Sequence, residues 1–270
     1  MGLLIASPAA TAVKPDVDAL AEAGRLLGAA DLQTLRYGAT GAGTATASGI
    51  TTSSAADTVT PVRYEAAIDY PAAAMQVEIV RQRHPLPDES GAPVMEEREV
   101  LAVAHGKAWD VPFAPAPALP PQRGVRSGRK PARGAPTAET PRLNTRAADE
   151  RRAAIWATPH GFLRAALAHQ PALRPAGSGT EVSFYSSSGR YVGFINTRHE
   201  VERVRVWMPD PAGGSLLLDT TYTGYAPFGR IRFPARILEQ RTGAPPLELT
   251  VATVQPNATV VIALPPAFAD

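Results

Sequence analysis

The sequence predicts a mainly β protein with a few helices (α+β), in which an antiparallel curved sheet or open half-barrel is packed on or plugged by helices. Three observations predict it. Residues 180–263 hold one alternating apolar segment after another, separated by turn residues, the pattern of an antiparallel meander. Residues 63–111 repeat that pattern in shorter form. Helical spacing is confined to residues 16–30 and 147–169, so the helices are too few to build a bundle and must cover the sheet.

The elements follow in order. Val17, Leu20, Ala21, Leu26 and Leu27 fall near helical spacing, and Gly28 is placed to end that helix. Residues 32–37 (LQTLRY) alternate as a strand. Residues 38–60 are rich in Gly, Ala, Ser and Thr with almost no charge, which reads as a loop or a weakly specified edge hairpin. Tyr64, Ala66, Ile68 and Tyr70 alternate, a turn is expected near Pro71, and Met75, Val77 and Ile79 alternate after it. Residues 84–91 read as a turn segment, and residues 98–111 as a strand or hairpin turning at Gly106.

Residues 113–146 interrupt this order. With Pro112 they hold eight prolines, and Arg123, Arg126, Arg129, Lys130, Arg133, Arg142 and Arg146 are offset only by Glu139. Such a segment buries too little apolar surface to offset its ordering entropy, so a disordered excursion is expected. It has no aromatic residues interleaved for base stacking, and nucleic acid is not an expected partner. Residues 147–169 then read as a helix broken at Thr158-Pro159, where Thr158 suits the N-cap and Pro159 the first helical position. Phe162, Leu163, Ala166 and Leu167 share one face of the second half. In the closing meander, turns are expected at Ser188-Gly189 and over residues 196–200, 211–214, 224–229 and 242–246. A last strand is expected over residues 261–264.

Composition bounds the function. The chain has 270 residues, 44% hydrophobic and 19% charged, with 49 Pro and Gly and a formal charge of +2. That charge gives no basic field for nucleic acid or anionic lipid. The absence of cysteine excludes disulfides, Cys-ligated zinc and thiol catalysis. No stretch approaches the roughly 20 apolar residues of a membrane span. Residues 1–13 (MGLLIASPAATAV) are apolar and small, and residues 1–15 read as a disordered N-terminus or a signal remnant, with Ala10-Thr11-Ala12 as an A-x-A-like cleavage site. Residues 16–270 then form a single open-barrel-like domain interrupted at 113–146, and a periplasmic or secreted location is expected.

Catalysis needs several groups converging on one point. His84, His105, His160, His169 and His199 stand in no metal-ligand spacing, and no nucleophile elbow or phosphate loop occurs. His160 opens a helix, where it can bind an anion or bond to backbone. Catalytic and metal residues are therefore expected to be none. A curved sheet either fills its concave face with side chains or encloses a ligand. The candidate apolar lining is Trp109, Trp156, Phe162, Trp207, Tyr222 and Phe233.

Several segments carry a resemblance: LQTLRY (32–37), YEAAIDYPAAAMQVEIV (64–80), REVLAVAHGKAWDV (98–111), WATPHGFLRAAL (156–167), VRVWMP (204–209), YTGYAPFGRIRFP (222–234) and LTVATVQPN (249–257). Together they resemble the non-catalytic region upstream of the catalytic domain in exported bacterial metallo-β-lactamase-fold metallohydrolases. The H-x-H-x-D-H zinc motif of that family matches no position here. The resemblance implies no cofactor within this chain, zinc only in a catalytic domain beyond it, and hydrolase activity only if such a domain follows. At the level of the fold, the Y…G…I-R-F-P pattern and the meander around a helix also look like the open barrel of periplasmic lipoprotein carriers. The expected function is a noncatalytic accessory or apolar-ligand-binding domain, its partner an apolar or lipid-like ligand or a hydrolase domain. The alternatives are the N-terminal part of a zinc hydrolase and an interaction module working through the basic linker.

Overall fold

The computed structural model describes residues 18–42, 61–83, 95–114, 137–210 and 213–269. The expectations for residues 1–15, for residues 84–91 and for most of 38–60 lie outside the described residues, as does the core of the basic linker. Helix α1 (Ala19–Leu27) is followed by strands β1 (Thr34–Ala42), β2 (Pro61–Asp69), β3 (Ala74–Arg83), β4 (Met95–Ala104), β5 (Lys107–Ala114), β6 (Thr137–Ala138) and β7 (Arg142–Leu143). Helices α2 (Ala147–Ala157) and α3 (Pro159–Ala168) come next. Strands β8 (Ala172–Ala176), β9 (Gly179–Ser186), β10 (Gly189–Ile195), β11 (Val201–Pro209), β12 (Ser215–Phe228), β13 (Ile231–Arg241) and β14 (Ala244–Pro256) complete the order.

The fourteen strands among the described residues belong to one antiparallel sheet, ordered β6-β5-β4-β3-β2-β1-β14-β13-β12-β11-β10-β9-β8, with β7 beside β5. Two sequence-local meanders, β1 to β7 and β8 to β14, are joined by one seam at which Leu35 faces Pro256 and Ala42 faces Glu248. The order has two ends and does not close. At one end, β8 is short and carries Pro175, which removes an amide donor from the exposed edge.

The sheet is strongly curved, and helix α2 shows it. This helix packs on β3, β4 and β5 and also on β11. In a flat sheet β4 and β11 would stand roughly 34 Å apart, from seven steps of about 4.8 Å. A helix is only about 10–12 Å across, so both halves of the sheet curl around it. The inward faces of the strands and the three helices share one core that includes Leu35, Ile68, Val77, Ile155, Phe162, Leu163, Val204 and Phe233.

The helices form where the sequence places them. Gly28 ends α1 with φ 73°, and the amides of Gly28 and Ala29 donate to Arg25 O and Gly24 O. The T-P-H-G-F segment is explained residue by residue. Thr158 caps α3 by accepting from the Gly161 amide at 3.2 Å, and Pro159 occupies the first turn. Buried His160 bonds to the carbonyl of Leu27 through Nε2 at 2.9 Å, tying α3 to α1. At Gly161 a Cβ would lie 2.2 Å from Ile155 O. Phe162 fills the space above Gly193, where a Cβ would lie 2.2 Å from its ring.

Four expectations are corrected. Residues 38–42 continue β1 rather than starting a loop, because Gly38 to Ala42 pair with both β2 and β14. Part of the segment 113–146, expected as a disordered excursion, is paired: Phe113 and Ala114 end β5, and residues 137–138 and 142–143 pair with it, while residues 115–136 lie outside the described residues. The turn expected over 224–229 reduces to Gly229-Arg230: β12 runs through Gly224, whose φ of 69° bends the strand without ending it. Residues 261–264 form no strand. They belong to an extended tail that leaves β14 at Asn257 and crosses the outer face of the sheet, where Ile262, Leu264 and Phe268 pack on the cluster of Ala74, Ala102, Ala104 and Trp109. The V-Q-P-N segment marks its start. Asn257 Oδ1 accepts from the Gln33 amide at 2.8 Å and its Nδ2 donates to Asp31 O at 3.0 Å. Asn257-Ala258-Thr259 also fits an N-glycosylation sequon, and its asparagine side chain is already used to join the tail to β1.

Candidate functional site

A cavity of about 80 Å³ opens between the inner face of the sheet and the α2–α3 junction. Its apolar wall comes from period-two rows: Ile68 on β2, Met75, Val77 and Ile79 on β3, Leu101 on β4, Phe233 and Ile237 on β13, and Leu247 and Leu249 on β14. Ala154, Ala157, Thr158 and Pro159 form the helical side. Aromatic rings close part of the floor. Tyr37 stacks on Tyr64 at 5.8 Å and meets Phe233 at 5.2 Å, and Phe233 stacks on His160 at 5.8 Å.

Polar groups tie the helices to both halves of the sheet. The Tyr222 hydroxyl donates to Ala157 O at 2.7 Å. Thr158 donates its own hydroxyl proton to Ile155 O at 2.7 Å, so Tyr70 is the donor in the 3.1 Å bond to Thr158 Oγ1. Arg151 is buried and donates to the carbonyls of Ala102 (3.0 Å) and Trp109 (2.8 Å), and it pairs with Asp110. The Asp110 carboxylate also accepts from Asn144 at 2.9 Å.

The row on β13 changes character along its length. Phe233 and Ile237 are apolar, but Glu239 and Arg241 continue the same face and line the cavity. Arg241 donates to Glu239 from Nε at 2.6 Å and to Glu150 of α2 from Nη1. Burial alone would lower the Arg241 pKa, but the Glu239 and Glu150 carboxylates outweigh it and raise it. Burial, helped by the Glu239 charge, pushes the Tyr64 phenol up to about 12. Burial also raises Tyr37 and Tyr222 well above the ordinary range. These phenols are thus neutral donors and not bases. Thr220, paired in register with Glu239, also lines the cavity. It is 2% exposed, and its Oγ1 completes no hydrogen bond of good geometry among the described residues, although it stands near enough to the Tyr222 phenol to offset a little of that group's upward shift.

The structure brings two of the six anticipated lining residues together, Tyr222 and Phe233. Trp156 sits on α2 and packs on Tyr70 at 6.3 Å, and Phe162 packs on Phe184 at 5.5 Å within the core. Trp109 lies in the separate outer cluster under the tail. Trp207 alternates with inward Val206 and Met208, so it faces out, where Arg190 lies over its ring at 5.4 Å. Sequence reasoning missed Tyr37, Tyr64, Thr220, Glu239 and Arg241. The signal for the last two was present, because the alternation that sets Phe233 and Ile237 inward carries on to them.

The arrangement can enclose an apolar group and bond to a polar one. Among the described residues no group of three or more His, Asp or Glu is placed to hold a metal ion. No described helix is long and apolar enough to cross a membrane.

No family model matches the chain, and no curated protein sequence matches it. Among solved structures it is similar to a LolA superfamily protein from Nitrosomonas europaea, with a TM-score of 0.43 and 8% identity over 92% of this chain and 96% of that one. It is also similar to a DUF1329 family protein from Desulfovibrio piger, with a TM-score of 0.41 and 9% identity over the same shares. None of these comparisons bears on the resemblance to the region upstream of metallo-β-lactamase-fold domains. The open sheet rests on the strand pairing of this chain itself.

Proposed function

We propose that the protein is a noncatalytic container for the apolar part of an amphipathic ligand, working in the periplasm or outside the cell. The observation that carries this reading is the cavity between the inner face of the sheet and the α2–α3 junction. Close-packed cores leave few voids, yet here an apolar space persists beside charged and hydroxyl groups. Its volume of about 80 Å³ is below the roughly 300–1,000 Å³ of a ligand pocket. Loading therefore requires α2 and α3 to withdraw from the sheet. The bonds from Tyr222 and Tyr70 to the α2–α3 junction are the ones to give way, since each is a single hydrogen bond of about 1 kcal/mol net. The location rests on the apolar opening segment with its A-x-A-like site.

The reading is tested with a fluorescent apolar probe, 1-N-phenylnaphthylamine, titrated into delipidated protein. Saturable binding with enhanced emission is expected, displaced by alkyl amphiphiles. Ala154 borders the cavity from α2, and Ala154→Leu should fill the space, abolish probe binding and leave the melting temperature the same or higher. Absence of saturable binding in the unaltered protein, or unchanged binding in the filled variant, sinks the proposal.

A further inference from the structure

The container reading, on which this inference rests, leaves open what kind of head group the ligand carries, and the polar end of the cavity bears on that. Glu239 and Arg241 point inward from β13, and Glu150 reaches Arg241 from α2. Two carboxylates thus face one guanidinium, which leaves one negative charge in excess. The other guanidinium at the cavity, Arg151, is committed to Asp110 and to two backbone carbonyls. The side chains of Arg241, Glu150 and Glu239 are 26%, 22% and 21% exposed, so the group forms a rim between cavity and solvent. Inside that rim, Thr220 holds a buried hydroxyl that completes no hydrogen bond of good geometry among the described residues, with only the Tyr222 phenol near it. Buried polar atoms in folded proteins are nearly always bonded, so one left open beside a cavity marks a place for a ligand atom.

We propose that the cavity takes an amphiphile whose head is a hydroxyl or an ammonium group, bonded to Thr220 and Glu239, and that it rejects a carboxylate head. An ammonium donates to both Thr220 Oγ1 and the Glu239 carboxylate, while a hydroxyl donates to the carboxylate and accepts from the Thr220 O–H. A carboxylate needs an unmatched positive charge, and the single charge of Arg241 already faces both Glu239 and Glu150. It would also enter a field of its own sign, the field that helps keep the neighbouring Tyr64 phenol protonated. Specificity here comes as much from the repulsive carboxylates as from the open hydroxyl.

The experiment compares octanol, octylamine and octanoate at neutral pH as displacers of 1-N-phenylnaphthylamine from the intact protein. The chain is held constant and only the head changes. Octanol and octylamine should displace the probe, with octanoate about tenfold weaker or worse. Equal or tighter binding of octanoate overturns the head-group assignment while leaving the container intact. Failure of all three, with the probe itself unbound, overturns the container and this inference with it. Glu239→Gln keeps an acceptor for Arg241 and removes the excess charge, so octanoate should gain about tenfold relative to octanol. An unchanged preference in that variant counts against the proposal. Should Glu239→Gln fail to melt cooperatively, Glu150→Gln, on the helix side of the same group, makes the same comparison.

Discussion

Gly193 sits beneath the Phe162 ring, and a Cβ there would lie 2.2 Å from Cζ and 2.4 Å from Cε1. Because Phe162 is fully buried and also packs on Phe184, the ring has nowhere to retreat. Gly193→Ala should destabilise the protein by about 1–3 kcal/mol through overpacking. Adding Phe162→Leu should recover part of that loss, so the urea midpoints of the four proteins should show coupling of about 1 kcal/mol or more. Strict additivity would mean that the two do not meet. His160 makes a prediction in pH. Burial lowers its imidazole to about 4 from 6.5 in the unfolded chain, against a smaller upward pull from Leu27 O. Above pH 6.5 neither state holds the proton, so stability from this residue is constant. As the pH falls below that value the unfolded chain binds a proton that the folded one refuses, and stability drops by about 1.4 kcal/mol per unit until the folded pKa is reached. His160→Gln retains a donor for Leu27 O and does not titrate. Its stability should lose about 3 kcal/mol less than the unaltered protein between pH 6.5 and 4. Parallel losses in the two proteins would exclude His160 as the source.

Helix α2 is the element most dependent on polar anchoring, because its apolar face is built mainly of alanine. Arg151 is its principal anchor, and Arg151→Met should cost about 3–5 kcal/mol by leaving Asp110 and two strand carbonyls without their partner. A denaturation midpoint within error of the unaltered protein would contradict that role. The break between α2 and α3 was legible in the sequence because Thr158-Pro159 encodes it locally: a hydroxyl to cap and a ring that cannot continue the preceding turn. The two attachments of that break, Tyr70 to Thr158 and Tyr222 to Ala157, were not legible. They join residues 88 and 65 positions apart, and no local pattern encodes such a separation. The aromatic lining suffered for a related reason. Period-two alternation says that Trp109 and Ala108 point to opposite faces, but not which face is inner. Only the tail crossing the outer face, with Ile262 and Leu264 over Trp109, explains why the larger side chain lies outside.

The outer face of the sheet is held at its β4–β5 end by the C-terminal tail. Lys107 Nζ donates to Phe268 O at 2.8 Å, and three half-buried apolar side chains cover a tryptophan that is 4% exposed. A chain truncated after Asn257 should lose about 3 kcal/mol, taking each of those side chains at about half of a full burial. Its tryptophan emission should shift to the red as Trp109 meets water. Unchanged emission would show that the tail does not shield it. The open sheet as a whole was legible, because alternation and turns repeat along both meanders and the helices are too few to enclose anything alone. The seam was not. β1 pairs with β14 in a register whose residues are 221 apart at Leu35 and Pro256, and strands so distant carry no mutual signal in a single sequence.

That seam sets a schedule for the newly made chain. β1 leaves the ribosome well before β14, the strand that completes its pairing. At about 5–20 residues per second, the 221 residues between Leu35 and Pro256 take roughly 10–45 s to add. Throughout that interval β1 can pair with β2 on one side only, and its other row of amides and carbonyls stands open to any strand that passes. The first meander must therefore wait, half finished, until β14 has been made, and protection from aggregation matters most for this protein before that strand arrives.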